Sequence, residues 1–307
     1  MKGIIIKNKN NIKKSEIKAD IEISSSFISD IINDTTQEYK KYANINGFRK
    51  GNAPDKLIFE KYKDKILSDT YKQLKEDIET EIYKEEKSTI KVIFNNEFKD
   101  LIDKNTDIIT NITMYIKPKI KTVNIKKINI SKKKIEDEFR KQRDNYSKEE
   151  KVQIDKNKDK FIEQIYNNII LENINNEINL SRDDVPSFII DNAINYSLDK
   201  IDEFTKSINI DTDTYFKQIN KSREEVIKQI EEDAIDQFKF DLFIEDYVTN
   251  NKIEVTKEDI DNKLKDIDPK TLPQINTNSI INDIIYDKAI NNIIENVKAN
   301  AINTNSN

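Results

Sequence analysis

Apolar positions recur along this chain with two different periods, and the change from one to the other divides it. Residues 15–23 (Ser-Glu-Ile-Lys-Ala-Asp-Ile-Glu-Ile) alternate at Ile17, Ala19, Ile21 and Ile23, the period of two of a half-buried strand. A shorter apolar-polar run at 3–8, closed by an Asn/Lys turn, predicts a strand before it. A helix is predicted from about Ser26 to Tyr42, with Phe27, Ile28, Ile31, Ile32 and Tyr39 on one face. Asn44–Pro54 then carries the residue chemistry of a loop. Beyond it Ile58, Tyr62, Ile66, Thr70, Leu74, Ile78 and Ile82 keep near-helical spacing. They predict a long helix from Asp55, as N-cap, to about Lys87. Strands follow at 89–94 and 107–116, and Pro118 ends the second. Residues 1–118 therefore read β-β-α-α-β-β, an α+β domain.

From Ser131 onward the period is helical. Ile135, Phe139 and Tyr146 mark one helix, and Phe161, Ile165, Ile169 and Ile170 a second. Asp184-Val-Pro-Ser opens a third, with proline in its first turn, continuing through Ile190, Ala193, Ile194, Leu198 and Ile201. Ser222-Arg-Glu-Glu225 is a capping box starting a long helix through Val226, Ile230, Ile235, Phe238, Leu242 and Tyr247. Thr256–Asp259 reads as another start, Pro269 and Pro273 as breaks, 279–298 as a last helix, and Ala301–Asn307 as a frayed tail.

Composition narrows the chemistry. The 307 residues are 36% charged and 36% hydrophobic, a thin core that suits elongated helical shapes better than one compact ball. There is no cysteine and no histidine. Disulfides, thiolates, the Ser-His-Asp triad, the Cys-His dyad and imidazole metal sites are all excluded. The N-terminus lacks the apolar core and cleavage site of a signal peptide, and no window approaches the ~20 apolar residues of a membrane span. A soluble, cytoplasmic protein is expected. Charge is uneven: residues 1–54 hold ten basic and six acidic side chains, 55–125 fourteen of each, 126–151 ten and six, and 152–307 eighteen and thirty-one. A basic front and acidic rear suggest that only the front faces a polyanion.

Glycine occurs only at positions 3, 47 and 51, and arginine only five times. Two of those glycines bracket Phe48-Arg49-Lys50 in one loop. A chain this poor in glycine keeps it where the backbone needs positive φ or close approach. Gly47 and Gly51 then set a loop shape that presents an apolar ring, a planar cationic fork and a point charge together. On composition alone, a contact tip and an ordinary interhelical turn with Phe48 in the core stand as equal readings.

The stretch Asn46-Gly-Phe-Arg-Lys-Gly-Asn-Ala-Pro54, between two helices of a β-β-α-α-β-β domain, resembles the ribosome-binding signature of bacterial trigger factor. The likeness continues through Ile58, Phe59–Tyr62 and Asp69, through Asn129–Tyr146, and through Asp183–Asp191 and Ile253–Asp261. It thus covers nearly the whole chain in order. The resemblance implies a ribosome-binding domain at 1–118 and a linker with the first C-terminal helix at 119–151. It also implies an elongated, all-α, substrate-cradling chaperone domain with arms at 152–307. Gly47, Phe48, Arg49, Lys50, Gly51 and Pro54 would bind the ribosome. Partners implied are a ribosomal protein at the tunnel exit with adjacent rRNA, unfolded nascent polypeptides, and a weak homodimer off the ribosome. No membrane partner is implied. The function implied is an ATP-independent chaperone aiding protein folding, transport and cell division.

One departure from the family stands out. Between about Glu149 and Phe161 the family inserts an FKBP-type prolyl isomerase domain, a fold needing glycine-rich turns. Residues 119–307 contain no glycine and no tryptophan, so that domain and its activity are not expected. Gly47–Gly51 also lacks the spacing and Lys-Ser/Thr ending of a phosphate-cradling loop. The carboxylate runs Glu85/Glu86, Asp183/Asp184 and Glu231/Glu232/Asp233 suit solvated faces or helix starts better than a cation or acid-base site. No catalytic residue, metal or cofactor is expected. Three alternatives stay open: an inherited prolyl isomerase activity, a ribosome-bound factor without chaperone action, and a secreted chaperone of related helical fold, which the missing signal peptide opposes.

Overall fold

The computed structural model describes residues 3–265 and 277–304. They form two compact units, Met1–Lys119 with Arg182–Phe188, and Ile120–Ser181 with Ile189–Asn307. In the first unit β1 (Ile4–Lys13), β2 (Glu16–Ile23), β3 (Thr89–Phe94) and β4 (Ile108–Ile116) form one sheet in the order β1-β2-β4-β3. Every neighbouring pair is antiparallel. Helices α1 (Ser25–Tyr42) and α2 (Asp55–Glu85) cover one face. Ala19, Ile21 and Ile23 of β2 and Ile108, Ile112 and Met114 of β4 point into that core and meet Ile28 and Ile31 of α1 and Leu74, Ile78 and Ile82 of α2.

The turn expected after residue 8 does not occur. β1 runs on to Lys13, and the chain reverses at Lys14–Ser15. At Asn8 the backbone takes φ 49°, the register shifts between Lys7 and Asn10, and the Asn8 carboxamide donates to Asp20 at 2.8 Å. The polar run 8–13 is a strand because β2 supplies its backbone partners, not because it alternates. The expected N-cap of α2 also moves. Asp55 is the first helical residue behind Pro54, and no side chain caps this end.

The stripe on α2 is buried as expected at Ile58, Ile66, Thr70, Leu74, Ile78 and Ile82. A spacing of four overshoots the helical repeat by about 40° per step, so the stripe winds around the helix. Its C-terminal half faces the sheet. Its N-terminal half, Ile58 and Ile66, builds a second cluster with Ala43 and Ala53, backed by Ile45, Phe59 and Tyr62. Tyr62 itself leaves helical geometry (φ −114°, ψ 19°) and kinks α2 within the N-terminal half, between Ile58 and Ile66.

On the other face of the sheet, Arg182–Phe188 belongs to the first unit. Phe188 stacks edge-on against Tyr115 with centroids 4.7 Å apart. The Ser187 amide donates to Glu16 Oε1 at 2.8 Å, and Lys14 pairs with Asp184 at 2.8 Å.

The second unit is helical: α3 (Lys132–Asp144), α4 (Lys148–Lys156), α5 (Lys158–Glu177), α6 (Ser187–Ser207, of which the first two residues lie in the first unit), α7 (Thr212–Gln218), α8 (Arg223–Asn251), α9 (Lys257–Lys265) and α10 (Thr277–Thr304). The capping box at Ser222/Glu225 closes in both directions. Tyr146 lies past the end of α3, its ring against Phe161. α6 starts just behind Pro186 rather than around it. The last helix extends beyond the expected 298 to Thr304. The breaks expected at Pro269 and Pro273, and the last residues of the frayed tail, lie outside the described residues.

Candidate functional site: the loop between α1 and α2

The loop is two reverse turns in series. The Phe48 amide donates to the Ile45 carbonyl at 3.1 Å, and the Asn52 amide to the Arg49 carbonyl at 3.0 Å. The third residue of each four is a glycine with positive φ, 85° at Gly47 and 83° at Gly51, while Asn46 and Lys50 before them keep negative φ. That is the signature of two type II turns. Each needs a residue that tolerates positive φ at its third position, which is why glycine stands there.

Hydrophobic anchoring at the base fixes the loop's ends. Ala43 and Ala53 are buried on Ile58 and Ile66, with Ile45 against them. Lys61 Nζ donates to the Asn44 carbonyl at 2.5 Å. Asp55, at the start of α2, accepts from Lys40 at 2.7 Å and Gln37 at 2.8 Å on α1. The Lys40 contact first, then Gln37, holds its carboxyl below the ordinary range. Behind these, the Tyr39 hydroxyl donates to Asp69 at 2.7 Å. Ionising that phenol would break the bond and set two negative charges together, so its pKa is pushed up to about 12. Tyr42 and Tyr62 pack on the Tyr39 ring at 5.4 and 5.6 Å.

Between the two anchored ends the tip is bare. Phe48 is 43% exposed, and Gly47, Arg49, Lys50, Gly51 and Pro54 are exposed with it. Among the described residues, neither the Arg49 guanidinium nor the Lys50 ammonium has an ion pair or hydrogen bond. Phe48 is thus outside the core, against the reading that tucked it into an ordinary interhelical turn. Sequence reasoning found the tip and missed its base. Ala43 and Ala53 carry no local signal beyond being small and apolar in a polar stretch, and the Tyr39–Asp69 bond joins residues 30 apart.

The glycines are testable by themselves. No atom lies within 4 Å of a Cβ added at either, so alanine costs only the left-handed backbone term, about 1–2 kcal/mol per site. In Gly47→Ala/Gly51→Ala the loop should open more often. Trypsin should cleave after Arg49 and Lys50 at least about tenfold faster than in wild type, with the far-ultraviolet dichroism unchanged.

No cluster of three or more carboxylates that could hold a metal occurs among the described residues. No helix among them is long and apolar enough to cross a membrane.

Comparison with known proteins places these features in a family. Residues 5–146 match the family described as bacterial trigger factor protein, and residues 151–302 match the trigger factor C-terminus. The two spans leave only 147–150 between them, where Ser147 caps α4. A trigger factor of Thermoanaerobacter sp. (strain X514) is 29% identical over 125 residues, which is 38% of this chain and 29% of the relative. That of Buchnera aphidicola subsp. Schizaphis graminum is 35% identical over 134 residues, 42% of this chain and 28% of the relative. That of Clostridium tetani is 25% identical over 194 residues, 57% and 44%. The chain thus aligns with less than half the length of each of these relatives. Among solved structures, a trigger factor chaperone described by its promiscuous substrate recognition in folding and assembly superposes with a TM-score of 0.57 at 12% identity. It covers 94% of this chain and 100% of that one, a likeness of fold. With the two matched spans taking up nearly all of its length, the chain belongs to the bacterial trigger factor family.

Proposed function

We propose that this chain docks on the ribosome through Phe48, Arg49 and Lys50 and shields unfolded segments without using ATP. The observation that carries the reading is the double type II turn, which holds an aromatic ring and two unpaired cations in solvent on an anchored base. A rigid tip loses little entropy on binding, and its apolar ring and guanidinium are the side chains that dominate contact energies. Family membership adds the partner, a ribosomal protein at the nascent-chain exit. The adjoining family spans, 5–146 and 151–302, support a reading in which the chain acts by binding, without the family's inserted isomerase domain.

The second unit supplies a surface for clients. Tyr196, Phe204, Ile208 and Ile219, on and just beyond α6 and α7, are exposed, with the Phe204 ring edge-on to Tyr215 at 5.8 Å. Scattered apolar side chains grip an unfolded chain weakly at many points, so release needs no energy source. In a light-scattering assay with a chemically denatured client and no nucleotide, the wild type should suppress aggregation. Tyr196→Ser/Ile208→Ser/Ile219→Ser should lose that suppression severalfold while melting as wild type does, because the three side chains are exposed. A wild type that leaves aggregation unchanged while still pelleting with ribosomes would reduce the protein to a ribosome-bound factor.

A further inference from the structure

No aspartate or glutamate occurs between Asp107 and Glu136. In the second unit that acid-free run carries Lys121, Lys126, Lys127, Lys132, Lys133 and Lys134 within fourteen residues. All six are exposed, and among the described residues none of their ammonium groups has an ion pair or hydrogen bond. The backbone beneath them is fixed. Val123, Ile128 and Ile130 are buried. Asn124 Oδ1 accepts from the Lys126 amide, and Ser131 Oγ caps α3 by accepting from the Lys134 amide. The apolar side chains of this strap point inward and the cations outward.

Three of the lysines break a local rule. Lys132, Lys133 and Lys134 fill the first turn of α3, which has no acidic residue. The positive end of a helix dipole favours carboxylates there. Glu149 and Glu150 open α4, Glu224 and Glu225 open α8, and Glu258 and Asp259 open α9 in keeping with that preference; α1, α6 and α10 open without an acidic residue but carry no lysine there, whereas α3 opens on three. A local cost with no compensating contact marks a surface kept for a ligand. The next turn carries Glu136, Asp137 and Glu138, which confines an anion to the N-terminal rim of α3. Residues 152–307, by contrast, hold thirty-one acidic side chains to eighteen basic.

We propose that the strap 121–134 binds the phosphate-ribose backbone of RNA without sequence preference. Where the chain sits on a ribosome as proposed above, that RNA is ribosomal; the binding chemistry itself does not rest on the tip. Two features favour RNA over an anionic lipid surface. The strap exposes no large apolar side chain to insert among acyl chains. Beside Lys121 and Lys127 lies a hollow of about 490 Å³ whose lining includes Asn129, Asn173, Asn176 and Asn179, together with Glu177. Carboxamides both donate and accept, which suits a 2′-hydroxyl or a base edge.

The test is fluorescence anisotropy with the full chain and a labelled single-stranded RNA of about 20 nucleotides. Each lysine neutralising one phosphate contributes about −0.7 to the slope of log K on log salt. With about five engaged, the slope should be roughly −3 to −4 between about 50 and 200 mM salt. Lys126→Gln/Lys127→Gln/Lys132→Gln/Lys133→Gln/Lys134→Gln should bind at least about tenfold more weakly with a slope near zero, and should melt no lower than wild type because no ion pair is lost. Phe48→Ala/Arg49→Ala/Lys50→Ala should keep its RNA affinity within about twofold, so failure of tip docking and failure of the strap are read separately. The proposal is overturned by a wild type that does not bind RNA at low salt. It is overturned equally by a five-lysine variant that binds as wild type does, by loss of RNA binding through the tip variant alone, or by phosphatidylglycerol vesicles capturing the strap where RNA does not.

Discussion

Phe48→Ala/Arg49→Ala/Lys50→Ala should bind ribosomes roughly a hundredfold more weakly than wild type, a loss of about 2.8 kcal/mol. The figure is set by side-chain type and presentation. An aromatic anchor and an arginine at the centre of a contact each commonly exceed 2 kcal/mol on truncation, with less than additive effect when combined. The three side chains lie outside the buried core: Phe48 is exposed, and among the described residues neither cation has an ion pair or hydrogen bond. The variant should therefore melt with wild type, so lost binding cannot be ascribed to unfolding. Salt should weaken wild-type binding, since the charges are exposed, and should weaken the variant less. The measurement is an equilibrium pelleting titration at two ionic strengths.

Ile78→Ala should have the largest effect on stability, about 3 kcal/mol. Ile78 is fully buried on the sheet face of α2, in one cluster with Leu74, Ile82, Ile21 and Ile112. Truncation there removes several methylene equivalents from an apolar site and leaves a cavity that neither the rigid helix nor the paired strands can collapse into. The transition of the first unit should shift down by roughly 10 °C, read by calorimetry. Lys72→Ala, on the exposed side of the same helix, should change stability by no more than about 0.5 kcal/mol.

What the sequence revealed depended on how far apart the partners lie. The α2 stripe, the capping box at Ser222 and the glycines at 47 and 51 are local signals, written within a few turns of chain, and each appears in the structure where the pattern put it. Features held by distant partners were silent. The polar stretch Asn8–Lys13 is a strand only because β2 pairs with it. Arg182–Phe188 joins the first unit through Glu16, 171 residues away from Ser187, and no local pattern can announce such a contact. Asp55 looked like a cap because of its type and place; in space Lys40 and Gln37 claim it. The lysine strap was legible in principle. Counting charge in blocks that break at residue 125 cuts the acid-free run in two, and the exposure of its ammonium groups shows only in three dimensions.

Whether residue 48 touches the ribosome is read directly by a photoreactive side chain placed there. Irradiating intact ribosomes with the protein carrying benzoylphenylalanine in place of Phe48 should yield an adduct with a ribosomal protein. The same probe at Ile109, exposed on the sheet face away from α1 and α2, should yield none. Adducts from position 109 with none from position 48 would contradict the assignment of the tip.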